Sequence, residues 1–293
     1  MNLDPVLIVN ACASGLLLGA FYAIAAAGLA ISFGLLDIVN IAHPALMVAA
    51  AFVVAALVGA TAIDPLLVAL VVAPFFAAFG AGLYRVYHFF FERRGEESIR
   101  GLAFFFGLMF LIEVSLLLLW GADQQWVNAR YSGAVLSLGK VDFPLRMLVP
   151  ALGALAIFAA VIAFLKLTFI GRAVAAVAQD REALRLLGID PTRVKTIGFA
   201  LSVGLASLAG GALIVIQPVD SSSSQIFVGR LFAIVIMGGL GSLPGTLIAG
   251  LAFGVIEDLT ATLFGPSWSP AVAFGLLLGF LAVRPRGLLG AAT

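Results

Sequence analysis

"GLLLGAFYAIAAAGLAISFGLLDIVNIAHPAL", residues 15–46, stays apolar and small for some twenty positions before Asp37, Asn40, His43 and Pro44 interrupt it. A helix rises about 1.5 Å per residue, so about 20 apolar residues cross the hydrocarbon of a bilayer. Within that hydrocarbon no water satisfies a free amide or carbonyl, and a helix pairs its own. The stretch therefore reads as a membrane helix that stops at a break. How often the pattern recurs decides the fold.

It recurs along the whole chain. The first run extends over 6–34, and others cover 44–60, 65–90, 101–120, 148–168, 197–217 and 270–284, while glycines and Pro244 break 229–260 into two shorter pieces. The 293 residues are 63% hydrophobic and 11% charged, too apolar for an ordinary globular enzyme. The expectation is an all-α, polytopic transmembrane bundle of about 7–8 spans plus broken or re-entrant helices. No polar stretch is long enough for a separate soluble unit, so 1–293 reads as a single transmembrane domain.

Composition also removes function classes. A net charge of +1 argues against a nucleic-acid partner, and the lone Cys12 excludes an internal disulfide and a cysteine metal cage. The two histidines, His43 and His88, form no H-E-x-x-H pair, and no Gly-x-Ser-x-Gly elbow is present. No metal site and no catalytic residue is expected. No Lys or Arg precedes Arg85, so the first run lacks the basic flank of a cleavable signal and reads as a retained span.

Positive residues set orientation, because Lys and Arg in short loops stay on the cytoplasmic side. An external N-terminus and a cytoplasmic C-terminus place Arg85, Arg93, Arg94, Arg100, Lys166, Arg172, Arg181, Arg185, Arg193, Lys195, Arg284 and Arg286 inside. Only Arg130, Lys140, Arg146 and Arg230 then fall outside. His88, beside Tyr84, Arg85 and Tyr87, reads as an interface anchor.

On this orientation "GRAVAAVAQDREALRLLGIDP", 171–191, faces the cytoplasm. Good helix formers from Arg172 to Leu187 put Val174, Val177, Leu184 and Leu187 on one side and Asp180, Glu182 and Arg185 mostly elsewhere. Gly188 suits a C-cap and Pro191 blocks continuation. The pattern predicts one short amphipathic helix and a turn, serving either as a surface helix or as a docking helix. Its mixed charge signs count against simple attachment to anionic lipid.

Two interruptions, "FGLLDIVNIAHP" at 33–44 and "MGGLGSLPG" at 237–245, fall one in each half. Paired Gly or Pro breaks point to a transport pathway, though tight turns that pack helices give the same signature. Polar residues at membrane depth are Asn10, Asn40, His43, Glu113 and Glu257. Asn40 and His43, three apart, would share a helical face and either cap the broken helix or bond a solute. Glu113 has either a neighbouring hydroxyl or a cavity role, and Glu257 with Asp258 reads as an external boundary. Gly238, Gly239, Gly241 and Gly245 are packing glycines or a flexible gate, and the 24 phenylalanines read as core or lipid-facing rather than as a stacking site.

Residues 171–195, together with 15–46, "FAIVIMGGLGSLPGTLIAGLAFGVIED" at 232–258 and "RPRGLLG" at 284–290, resemble the LivH-type permeases of bacterial ABC importers for branched-chain amino acids. The match covers most of the chain in order, with Pro44 and Ile41 standing where the family has glycine and an aromatic. The resemblance implies an inner-membrane subunit that forms half of a translocation pathway. Its implied partners are a second, related permease, two cytoplasmic ATPases and a periplasmic solute-binding protein. It further implies that a segment at about 171–196 couples to the ATPases through Arg172, Ala175, Asp180, Glu182, Arg185, Leu187 and Gly188. Candidate pathway residues are Asn40, His43, Glu113, Gly238, Gly239, Gly241 and Gly245. The chain carries no G-x-x-x-x-G-K-[ST] loop, so ATP and magnesium are expected on partner subunits. Relatives of this kind also serve urea, short amides and aromatic acids, and an ATP-independent channel or secondary transporter is the rival class.

Overall fold

Prolines and capping side chains decide where the apolar runs become separate helices. The computed structural model describes residues 5–95, 99–177, 179, 181–284 and 287–290, with eleven α-helices among them. Helix α1, Pro5–Leu29, continues as a π-helix over Ala30–Leu35 and ends in an irregular segment at 36–42. Helix α2, His43–Thr61, starts with Pro44 in its first turn, where a missing amide costs nothing. Asp64 caps α3, Pro65–Phe90, by accepting from the Leu66 amide at 2.9 Å. Helix α4 is Ile99–Trp120. A hairpin of β1, Val135–Leu138, and β2, Val141–Pro144, leads into α5, Leu145–Leu167.

Two short helices follow, α6 at Phe169–Ala176 and α7 at Arg181–Leu186. The single amphipathic helix expected over 172–187 is thus divided, with the Gln179 amide closing a turn onto the Ala176 carbonyl. Asp190 caps α8, Pro191–Ile216, through the Thr192 amide at 2.9 Å. Helix α9, Ser223–Gly238, α10, Leu243–Phe264, and α11, Ser269–Val283, complete the bundle. The break expected within 229–260 lies at 239–242, but only its first piece is short. Pro244 falls in the first turn of α10, so that helix then runs 22 residues uninterrupted.

Among the described residues eight helices are long and apolar enough to cross a membrane, α11 counted together with the 3-10 turn Pro266–Trp268 that leads into it, and α9, with 16 residues, is shorter. Helix α8 is the axis, buried along most of its length against α2 and α3. Its glycines permit that approach: a Cβ at Gly210 would strike the Met47 carbonyl, and one at Gly211 the Ala69 side chain. Helices α1 and α10 cross antiparallel through two facing small-residue motifs, Gly15-x-x-x-Gly19 and Gly250-x-x-x-Gly254. Helices α3, α4 and α5 turn large apolar residues such as Phe75, Phe106 and Leu152 outward, as lipid-facing helices do. Phe105 and Phe199 stack in the core beside Tyr84 and Tyr87, so the phenylalanines divide between core and lipid face.

These contacts order the two ends of the bundle. One end, the near end, carries the start of α1, the hairpin and the turns at 62–64, 217–222 and 265–268. Asn10 there donates to the Lys140 carbonyl at 3.1 Å and accepts from the Asp142 amide at 2.8 Å. The far end carries the break after α1, the turn at 91–95, α6, α7 and the tail, where the Leu288 amide donates to the Met237 carbonyl at 2.8 Å.

Candidate functional site

The first break enters the bundle rather than skirting it. His43, the first residue of α2, lies against Gly28, and its Nε2 is 3.0 Å from the Ala25 carbonyl, several turns before α1 and its π-helical extension end. The segment at 36–42 therefore folds back into the bundle, with Leu36, Ile38, Asn40 and Ala42 buried. Asn40 and His43 do not share a helical face, because Asn40 precedes α2. Its carbonyl, not its side chain, accepts from the His43 amide at 3.2 Å. Among the described residues both polar atoms of the Asn40 side chain, and Nδ1 of His43, are buried with no hydrogen-bond partner.

The second break meets the first. A Cβ on Gly34 would fall on the Gly241 amide, and Gly241 packs back on the Gly34 carbonyl. Gly239 and Gly241 hold φ of +96° and +82°, which glycine adopts without the penalty a side chain brings. A Cβ on Gly245 would strike the Gly238 carbonyl, and one on Gly239 the Gly290 amide. Sequence distance hides this meeting of two interruptions from opposite halves.

Glu113 is not part of it. Buried in α4 toward the near end, it accepts hydrogen bonds from the Ser224 hydroxyl and from Nε2 of Gln225, the latter at 3.1 Å. Of the two roles its mid-span position left open, a neighbouring hydroxyl is present, and it ties α4 to the start of α9.

At the far end α6 and α7 lie on the bundle by a narrow stripe. Thr168 caps α6 by accepting from the Gly171 amide at 2.9 Å, and Gly171, Ala173, Val174, Val177 and Leu184 are buried. Arg172, Glu182, Arg185, Leu186, Leu187 and Gly188 are exposed, and Ala175 is half-buried. Leu187 was expected on the buried side. It lies past the end of α7, where Gly188, at φ +74°, turns the chain, and it is 75% exposed. Asp180, and Arg286 of the terminal segment, fall outside the described residues.

Two charge networks went unforeseen. Beneath α7, Lys195 is 2% exposed and pairs with Glu92 of the turn after α3. Tyr84 donates to Glu92 at 2.6 Å, and His88 Nδ1 lies 3.0 Å from it, so His88 belongs to a link between α3 and α8 rather than to an interface anchor. Burial pushes the Glu92 carboxyl up, but the Lys195 ammonium, Tyr84 and His88 outweigh it and hold the pKa below its usual value. Arg93 and Arg185 border the same cleft, of about 310 Å³.

The second network lies within the bundle. Arg230 of α9, expected on the external side, pairs through Nη2 with Oε1 of Glu257 at 2.6 Å. Tyr22 of α1 donates to the other oxygen of Glu257 at 2.7 Å. Glu257 is thus buried rather than a boundary residue. The usable signal was that both charges interrupt apolar helices, where an ionised group demands a partner.

A bundle of this length and apolarity, with a glycine-lined break at depth and two short helices presented at one end, has the architecture of a membrane transport subunit. The chain matches the family described as branched-chain amino acid transport system, permease component, over residues 11–281, and it belongs to that family. It is 26% identical to the high-affinity branched-chain amino acid transport system permease protein BraD of Pseudomonas aeruginosa, across 94% of each chain. It is 28% identical to the corresponding LivH of Escherichia coli K12, again across 94% of each. Against LivM of Salmonella typhimurium it is 34% identical over 122 residues, which cover 41% of this chain and 28% of that one. No solved structure matches it.

Proposed function

We propose that this chain is one of two permease subunits of an ATP-driven importer for branched-chain or other hydrophobic amino acids in the bacterial inner membrane. A periplasmic solute-binding protein delivers the solute, and two cytoplasmic ATPases, which bind ATP and magnesium, drive its passage. The observation that carries the reading is the family match over nearly the whole chain on a bundle that presents α6 and α7 at one end. The ATPases dock there, on Arg172, Ala175, Glu182, Arg185, Leu187 and Gly188, with Asp180 included on sequence grounds. An exposed Leu186 and Leu187 beside Arg185 supply an apolar anchor with a charged rim, the composition of a docking surface.

The far end is then cytoplasmic and the near end periplasmic. Partial similarity to a second permease type, LivM, supports pairing with a related but distinct subunit. The solute crosses beside the joined breaks, where Asn40, His43 and the glycines Gly238, Gly239, Gly241 and Gly245 form the gate. Glu113, toward the periplasmic end of the bundle, holds α4 to the start of α9.

The test is co-purification from native membranes followed by reconstitution. Recovery of two ATPases and a second permease, with uptake of leucine, isoleucine or valine that requires ATP and the binding protein, is the expected result. A chain recovered alone that moves solute without ATP overturns the reading in favour of a channel or secondary carrier.

A further inference from the structure

Arg230 and Glu257 each lie seven residues inside their helices, α9 and α10, from the nearer end. At about 1.5 Å per residue that places both anchor points about 10 Å within the apolar bundle. An ionised pair at such depth is costly and faces a partner, a water-filled path or a solute rather than lipid. The pair is not sealed: the Arg230 side chain is 16% exposed and that of Glu257 9%. Its other sides are closed by Phe227, 5.9 Å below the guanidinium, and by Tyr22, whose ring packs on Phe253. One edge of a positive and one of a negative group therefore reach the molecular surface side by side.

A free α-amino acid carries an ammonium and a carboxylate on one carbon, two opposite charges at the spacing of a protein ion pair. We propose that Arg230 and Glu257 form a binding site for this zwitterion, reached by exchange of partners. The solute carboxylate takes the Arg230 guanidinium, its ammonium takes the Glu257 carboxylate, and Tyr22 keeps its hydroxyl on Glu257. Each buried charge stays compensated throughout, so the solute is desolvated without stranding an ion. On release the two side chains re-form their own bond, which keeps the solute weakly held. This assignment rests on the amino acid importer reading above.

The experiment uses the complete transporter, with both permeases, the ATPases and the binding protein, in proteoliposomes. ATP-driven leucine uptake by the unaltered complex tests the reading; its absence would remove that reading before the site is reached. The double variant Arg230→Met with Glu257→Met removes both charges at similar volume, a change buried pairs often tolerate. It should assemble and keep ATP hydrolysis stimulated by the binding protein, while uptake falls at least about tenfold. Arg230→Lys with Glu257→Asp should retain most uptake. The exchange Arg230→Glu with Glu257→Arg keeps a pair but reverses the solute's orientation, and should also transport poorly. Normal uptake by the assembled Met–Met variant, or by the exchanged pair, would show that the ion pair only joins helices and would overturn the proposal.

Discussion

Lys195 shows what one misplaced charge would do. It is buried at the foot of α8 and compensated by Glu92 from another helix end. Removing one partner of such a pair strands the other, so Glu92→Gln should lower stability by about 3–5 kcal/mol, measured as thermal unfolding of the detergent-solubilised protein. Glu92→Leu with Lys195→Met should recover most of the loss, and no recovery would mean that Tyr84 and His88 depend on the carboxylate instead. The pH dependence has a fixed sign. The Glu92 pKa is lowered from 4.5, so its contribution is present above that value and fades as pH falls through the lowered one. Asn40 behaves oppositely. A buried amide without partners among the described residues destabilises the state in which it is found, so Asn40→Leu should leave stability unchanged or raise it by about 1–3 kcal/mol. Uptake by the same variant should fall if Asn40 meets solute or water when the gate opens. A stability loss would show that the amide is satisfied in the resting protein.

Helices were legible where their physics is local. A run of apolar residues long enough to cross a bilayer must pair its own backbone, so α1 to α5 and α8 follow from the composition of their own segments. Gly188 and Pro191 likewise marked a stop because turn and cap chemistry spans a few residues. The pairing of Glu92 with Lys195 was not legible, since the two are 103 positions apart and nothing in either neighbourhood names the other. The crossing of α1 on α10 lay between these cases: Gly250-x-x-x-Gly254 is a weak signal alone and gains meaning only when Gly15-x-x-x-Gly19 is found facing it. A Cβ on Gly254 would land on the Gly19 amide and the Gly15 carbonyl, so Gly254→Val should cost at least about 1–3 kcal/mol. Gly275→Val, where a Cβ meets nothing, is the control, and equal effects would remove the crossing as the cause. For α7, Leu187→Asp adds a charge where the ATPase is proposed to bind. ATP-driven uptake should drop at least about tenfold with the permease still folded, the loss of one anchor at an interface. Unchanged uptake would leave α7 a surface helix.

At the scale of the whole molecule, the count of crossings and the placement of charge make one joint claim. Eight long helices alone would return the chain to the side on which it began. The short α9 adds a ninth crossing among the described residues, and the contacts of α1 with α10 and of the tail with Met237 put the first and last described segments at opposite ends. Moving Arg230 into the bundle strengthens the charge argument. Of the described Lys and Arg, only Arg130, Lys140 and Arg146 then remain at the near end, and this positive excess supports the proposed cytoplasmic far end. Single cysteines placed on a Cys12→Ser background report this directly through a membrane-impermeant maleimide applied to intact cells. Position 123, in the loop that pairs Gln125 with Val219, and position 222, in a near-end turn, should label from outside, whereas 182 and 187 should label only after the membrane is opened. Labelling of all four from outside would mean that α5 and α8 do not cross and that α6 and α7 are misassigned. Labelling of 182 and 187 alone would invert the bundle, and with it the side on which ATPases can act.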